Sequence, residues 1–175
     1  ELRDKTSAAH ARLDTVVGKL DSMACYARYL IGQFAFRRAI ERVLAAGPAP
    51  ADGWRIAPIA DALRRDVADL ALPHSTVPQW PDKLSAALAE GGRPGALYVV
   101  EGSSLGARLL RKQAAMLGLS DEFGARHLAL QTSEPARWRS FVDFLDRSDQ
   151  RALDASVRAA AATFELAQHC FAGRP

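Results

Sequence analysis

Cysteine is scarce in this sequence, and other absences narrow the class of protein further. The two cysteines, Cys25 and Cys170, are far apart and lack Cys-x-x-Cys spacing, which predicts reduced thiols rather than a disulfide framework. No apolar run approaches the roughly 18 residues that a membrane-spanning helix needs. The charged start does not resemble a signal peptide. We therefore expect a cytoplasmic protein that does not bind a membrane.

An excess of charge of one sign is also lacking. Lys and Arg number 23 against 20 Asp and Glu, a formal net charge of +3, and the basic residues are dispersed along the chain. Nucleic-acid binding usually requires a basic stripe on one face. We therefore expect no nucleic acid among the partners, whereas a few arginines would suffice for a small dianionic ligand.

Alternating strand patterns and internal repeats are not evident, and helical periodicity covers most of the chain. A length of 175 residues allows one substantial core and is short for two. The sequence predicts an all-α protein with a single domain over residues 1–175. Four of the predicted helices cover about residues 2–20, 56–70, 82–89 and 148–171. Another runs from residue 22 to a Gly-Pro break at 47–50, one begins after residue 95 and ends near 118, and one begins at 133–135.

Two glycines interrupt the most informative of these helices. Gly102 and Gly106 are four residues apart in an otherwise apolar segment, so they share one helical face. Each costs roughly 1 kcal/mol relative to Ala inside a helix, and some contact should compensate. Either another helix or a flat ligand approaches the bare backbone there.

A histidine in the first predicted helix bears on that choice. His10 shares a helical stripe with Arg3, Thr6, Leu13 and Val17, which places it among residues predicted to face the core. A hydrogen-bonded core histidine is the ordinary outcome at such a position. Neutral imidazole is, however, also a common ligand of metals and of haem iron.

Three blocks of the sequence occur in an order and spacing that match one known family. The first is Leu-Arg-x-x-Thr-x-x-x-His-x-x-Leu at 2–13, and the second is Leu-Tyr-Val-Val-Glu-Gly-Ser-Ser-Leu-Gly-Ala at 97–107. The third is Phe-Gly-Ala-Arg-His-Leu at 123–128, followed by Trp-Arg-Ser-Phe-Val-Asp-Phe-Leu at 138–145. Together they resemble the bacterial haem oxygenases, particularly the bacteriophytochrome-associated ones. The resemblance covers nearly the whole chain and implies haem between the first helix and the glycine-containing helix.

The resemblance also implies roles for residues on either side of the haem. His10 is the implied axial ligand of the iron, and Gly102 and Gly106 form a distal wall that leaves the sixth iron position open to O2. Ser103 stands where many relatives, notably the animal enzymes, carry an aspartate that orders distal water. Serine hydroxyls in helices usually bond back to a carbonyl one turn earlier, so the sequence does not identify the group that supplies the distal proton. We expect Glu101 to be solvated or structural.

Further residues are implied at the rim and wall of the pocket. Arg3 and Arg139 match positions that bind the haem propionates, for which arginine is well suited. Tyr98 is a candidate hydroxyl donor at the same edge, and Phe164 corresponds to an aromatic wall. A surface arginine or a core phenylalanine is the plain alternative in each case. The remaining histidines lie outside the family's ligand block: His74, His127 and His169.

The activity that the resemblance implies is cleavage of haem to biliverdin (the IXα isomer), carbon monoxide and ferrous iron. Haem is then both substrate and cofactor, and O2 and an external electron donor are required. A bacteriophytochrome that receives biliverdin is an implied partner, although iron recovery uses the same reaction. Two alternatives stay open: a haem-binding carrier or sensor with little turnover, favoured by the missing distal aspartate, and a helical interaction domain without a cofactor.

Overall fold

The computed structural model describes residues 2–46, 53–73, 82–147 and 153–173. Within these ranges the chain is helical, and the only β-type pairing is a pair of isolated bridges at residues 120–124. The predicted all-α class is confirmed. The described helices are α1 (Leu2–Val17), α2 (Met23–Ala46), α3 (Ala60–Asp69), α4 (Asp82–Ala89), α5 (Arg93–Met116), α6 (Arg126–Thr132), α7 (Arg137–Asp146) and α8 (Leu153–Phe171).

Helix α3 begins later than predicted, because a carboxylate from another helix decides where it starts. Glu41 of α2 accepts hydrogen bonds from the backbone N–H groups of Ile59, at 2.9 Å, and Ala60, at 3.3 Å. These bonds satisfy donors that a helix start leaves unpaired. The predicted start near residue 56 was wrong because the capping group comes from a distant part of the sequence.

Helix α6 was not predicted at all, and it has the same kind of cap. Asp66 of α3 accepts the backbone N–H groups of Arg126 and His127, at 3.1 and 3.0 Å. Helix α1, by contrast, ends at Val17 because Gly18 adopts a left-handed conformation with φ 67°. The prediction extended α1 to residue 20 and missed that stop.

The core is organised around α8, which packs against α1, α2, α4 and α5. Its inward face is lined mainly by alanines, so neighbouring helices approach closely. The closest approach is by α5: a Cβ atom on Gly95 would overlap the backbone carbonyl of Ser156, and one on Gly92 would meet that of Ala155. Glycine is therefore required where α5 meets α8.

A second buried group ties α2, α3 and α6 together behind α5. His127 Nδ1 lies 2.8 Å from Asp66 Oδ2, and His127 Nε2 lies 3.2 Å from the Tyr29 hydroxyl. Burial lowers the pKa of His127 despite the neighbouring carboxylate. Burial alone would raise the pKa of Asp66, but hydrogen bonds from His127 and Arg126 outweigh it and lower that pKa.

Across the described ranges, no helix is both long enough and apolar enough to cross a lipid bilayer.

Candidate functional site

The outer face of α5 carries the two glycines and is uncovered. Among the described residues, a Cβ atom on Gly106 would meet nothing within 4 Å, and one on Gly102 would touch only the Trp138 ring, at 3.6 Å. Leu105 and Leu109 on the same face are 59% and 61% exposed. Bare backbone flanked by exposed leucines is a surface that a flat apolar ligand fits. Apart from this contact with the edge of Trp138 of α7, no described helix packs against these glycines.

His10 lies on α1 with its ring in solvent rather than in the core. Its side chain is 64% exposed, and Nδ1 is 3.0 Å from Asp14 Oδ2. Its neighbours Thr6, Leu13 and Val17 face the core as predicted, but the imidazole itself is exposed, so His10 is not a core histidine. The carboxylate at Nδ1 leaves Nε2 as the ring nitrogen that faces no described partner, an arrangement typical of histidines that bind metals.

Phe164 of α8 connects His10 to the core. Its ring meets the His10 ring edge-on, with centroids 6.0 Å apart, and the side chain is only 3% exposed. Phe164 packs in a cluster with Val99 of α5, and Leu13 of α1 lies against that cluster. Phe164 is therefore a core residue that packs beside His10, and its role as an aromatic wall stays a prediction.

Helix α1 is held against α8 by polar as well as apolar contacts. The Gln168 side-chain amide donates to the Ala9 carbonyl at 3.1 Å. The Thr6 hydroxyl bonds back to the Leu2 carbonyl at 2.8 Å, which removes a polar group from the buried side of α1. These contacts set the position from which His10 projects.

The serines beside Gly102 bond back to their own helix, as expected. The Ser103 hydroxyl donates to the Val100 carbonyl at 2.6 Å, and the Ser104 hydroxyl donates to the Glu101 carbonyl at 2.7 Å. Ser103 Oγ also accepts a hydrogen bond from Gln131 Nε2 at 3.0 Å. The single hydroxyl proton of Ser103 is thus directed at a carbonyl and away from any ligand.

Glu101 is buried and structural, so the solvated interpretation was wrong. Its carboxylate accepts the Trp54 indole N–H at 2.7 Å and two hydrogen bonds from the Arg137 guanidinium, each at 2.8 Å. Only 4% of the residue is exposed. A carboxylate engaged in this way joins the segment before α3 to α5 and α7, and it is not available as an acid.

The predicted rim residues lie on three different helices. Arg139 of α7 is exposed and lines a cavity of about 220 Å³ together with Leu105 and Trp138. Tyr98 is half-buried, with its ring centroid 5.7 Å from that of Trp138. Arg3 is exposed near the start of α1. The structure thus brings Tyr98 and Arg139 to the glycine-bearing side of α5 and places Arg3 on the helix of His10.

The other histidines are less suited to bind iron. His127 is fully buried, with one ring nitrogen facing Asp66 and the other Tyr29. His169 is exposed in the last turn of α8. His74 falls outside the described residues. His10 combines an exposed ring with a carboxylate at Nδ1.

Sequence reasoning missed Gln131, the partner of Ser103, because α6 itself was not predicted. It also did not predict that Trp138 lies beside Gly102. The pairing of Trp138 with Gly102 spans 36 residues, and helical periodicity carries no information about it.

Comparisons with known proteins identify the family. The chain is 38% identical over 151 residues to Heme oxygenase PigA of Pseudomonas aeruginosa, covering 81% of this chain and 73% of that protein. It is 35% identical over 111 residues to a heme oxygenase of Xanthomonas campestris pv. campestris, covering 61% of this chain and 60% of that one. No protein-family model matches.

A solved structure supports the fold over nearly the full length. The NO- and CO-bound heme oxygenase of Neisseria meningitidis superposes with a TM-score of 0.73 at 26% identity, covering 97% of this chain and 87% of that one. With a relative of 38% identity covered to 73% and a matching fold, the chain belongs to the bacterial haem oxygenase family.

Proposed function

We propose that this chain cleaves haem, using O2 and electrons from an external donor, to biliverdin, carbon monoxide and ferrous iron. The observation that carries the proposal is the outer face of α5, where Gly102 and Gly106 expose backbone between solvent-facing leucines. Helix propensity alone disfavours two glycines at these positions, and the described residues bring only the edge of Trp138 near them. A flat apolar substrate lying against the backbone would account for both.

His10 would hold the haem iron through Nε2 while Asp14 keeps the ring oriented through Nδ1. Phe164 would support the same ring from the core side. When bound, haem supplies both the iron centre at which O2 is reduced and the porphyrin carbon that is oxidised. The glycines contribute by leaving space beside the iron that any larger side chain would fill.

Arginines at the rim would set the rotation of the substrate in its own plane. Arg3 and Arg139 are exposed and able to pair with propionate groups, and the Tyr98 hydroxyl would add a neutral donor. A single preferred rotation presents one meso carbon to the distal side. We propose the alpha-meso carbon, which gives the IXα isomer.

The proton required on the distal side would come from water rather than from a side chain. Glu101 is engaged by Trp54 and Arg137, and the hydroxyl proton of Ser103 is directed at Val100. Water held near Gly102 is then the available donor. We further propose an electron-donor protein as partner and a bacteriophytochrome as recipient of the biliverdin.

A second candidate function is a haem carrier or sensor with little turnover. The engagement of both Glu101 and Ser103 favours it, because neither offers a proton to the distal side. The two functions share the haem site and differ only in the chemistry that follows binding.

Haem titration followed by single turnover with a chemical reductant tests both candidates. We expect one haem per chain, a ferric spectrum that His10→Ala abolishes or greatly alters, and biliverdin after reduction in air. Binding without biliverdin would identify the carrier, and absence of binding would reject both. His169→Ala is the matched control, since it also removes an exposed histidine and should leave the spectrum unchanged.

A further inference from the structure

Gln131 lies behind the glycine-bearing helix with one end of its amide paired and the other unpaired. Nε2 donates to Ser103 Oγ at 3.0 Å. Oε1 is buried and has no hydrogen-bond partner among the described residues. Leaving a buried acceptor unpaired costs about 1–3 kcal/mol. The amide oxygen therefore needs a hydrogen-bond donor that the neighbouring described residues do not provide.

Gln131 lines two cavities, the one of about 220 Å³ that it shares with Arg139 and a smaller one. The smaller cavity has a volume of about 30 Å³. One water molecule needs roughly 10–15 Å³ of such space, so the cavity has room for one or two. The wall combines apolar residues with six other polar or charged ones: Arg37, Glu101, Ser104, Ser133, Glu134 and Arg137. The cavity is therefore large enough for ordered water, and its wall contains hydrogen-bonding groups.

We propose that this cavity is an internal water site and that Gln131 is a positioning residue for the distal helix. A water molecule donates to Gln131 Oε1, and Gln131 Nε2 in turn fixes the orientation of the Ser103 hydroxyl. The Ser103 hydroxyl donates its proton to the Val100 carbonyl, and one of its oxygen lone pairs accepts the Gln131 amide. One lone pair is left to accept a further hydrogen bond. Ser103 then acts as an acceptor beside Gly102 and not as a donor.

The consequence for the reaction rests on the proposed function. An acceptor beside the distal glycine orients a nearby water so that one of its protons points at Ser103 and the other is free to point elsewhere. Gln131 thus acts on the distal side only through Ser103. Hydrogen-bond chains of this kind are cooperative, so loss of either member weakens the other.

The adjacent serine provides a matched control. Ser104 lies on the same helix, bonds back to its own backbone in the same way, and lines the same cavity. Gln131 Nε2 donates its hydrogen bond to Ser103 Oγ. A general effect of removing a serine hydroxyl from α5 would appear equally in both variants, whereas the proposed chain runs through Ser103 alone.

The first experiment uses the full chain without haem. In nitrogen-15 NMR spectra, we expect slow solvent exchange of the Gln131 side-chain amide and a cross-peak to long-lived water. Ser103→Ala should shift this amide signal and speed its exchange, while Ser104→Ala should leave it unchanged. Fast exchange in the wild-type protein, or the same response to both substitutions, would overturn the assignment.

The second experiment follows the ferric haem complex as pH rises, recording the midpoint of its alkaline spectral transition. Ser103→Ala and the similarly sized Gln131→Met should move the midpoint in the same direction. The double variant should move it no further than the larger single shift. Unshifted midpoints or additive shifts would contradict the positioning role. If the wild-type chain binds no haem, the proposed function fails, and the NMR result still decides the water site.

Discussion

The glycines near the start of α5 and those farther along it serve opposite purposes. In the N-terminal part, which we call the packed half, Gly92 just before the helix and Gly95 within it lie against the α8 backbone, and a Cβ atom at Gly95 would overlap the Ser156 carbonyl. From Gly102 onward, which we call the open half, Gly106 faces open space and Gly102 has only the edge of Trp138 nearby. The first pair permits the fold to close, and the second pair keeps a surface open. A glycine within a helix therefore indicates room for a close contact with the backbone, but it does not show whether another helix or a ligand makes that contact.

The largest effect should come from filling the packed half. Gly95→Ala places a methyl group on the Ser156 carbonyl, and backbone cannot move aside as a flexible side chain can. We expect a loss of about 3 kcal/mol or more in the free energy of unfolding, at the upper end of overpacking effects. Denaturant titration followed by circular dichroism measures it. A change within experimental error would show that α5 and α8 are further apart than described.

Filling the open half should abolish activity without unfolding the chain. Gly102→Leu adds a side chain toward Trp138 and the proposed haem surface, where a ring edge can shift. We expect helicity near that of the wild type and biliverdin formation reduced at least about 100-fold, which is a cost of about 2.7 kcal/mol in transition-state stabilisation. Product absorbance after single turnover measures it. Wild-type turnover would reject the distal assignment.

Gly106→Ala sharpens the comparison with Gly95→Ala, since the substitution is the same and only the surroundings differ. A methyl group here meets no described atom within 4 Å. We expect the haem-free chain to be stabilised by up to about 1 kcal/mol through helix propensity. Haem affinity should fall in the same variant. Destabilisation of the haem-free chain would place Gly106 in a packing contact after all.

The network behind α5 should make stability depend on pH. The pKa of His127 is lowered in the folded chain by burial, so below the ordinary histidine pKa of about 6.5 the unfolded chain binds a proton that the folded chain resists. Stability then falls as pH drops below that value. The lowered pKa of Asp66 acts in the same direction at more acidic pH.

Urea titrations at a series of pH values test this dependence. His127→Gln, which cannot take up the proton, should flatten the slope between pH 7 and 5 even though it lowers stability overall. The open half of α5 has no part in this network, so Gly106→Ala should keep the wild-type slope. An unchanged slope in His127→Gln would assign the dependence to other groups.

The smallest expected effect concerns the rim of the open half. Replacing both Arg3 and Arg139 by Ala removes two solvent-exposed charged contacts, each worth about 0–1 kcal/mol. We expect weaker haem binding and a mixture of biliverdin isomers, separated by chromatography. A double variant of Arg64 and Arg65, which are exposed on α3, is the control. A single unchanged isomer would reject the propionate clamp.

The sequence predicted the helical class and most of the helices because local periodicity and glycine or proline breaks act over a few residues. Helix α8 illustrates this, with its predicted end at Phe171 confirmed. The same local information identified His10 and the glycine pair as residues of one family. It failed at the starts of α3 and α6, where Glu41 and Asp66 supply caps from 18 or more residues away.

Sequence by itself determined the candidate residues, since an imidazole and a helix face without side chains are properties of residue type and spacing, and their proposed roles follow from the family resemblance. Tertiary structure alone decided their surroundings. It buried Glu101 under Trp54, exposed His10 beside Phe164, and joined Gln131 to Ser103. It also separated a packing glycine at 95 from an open one at 106. These outcomes depend on which helix crosses α5 at each turn, and helix crossing is set by packing between segments that are distant in the chain.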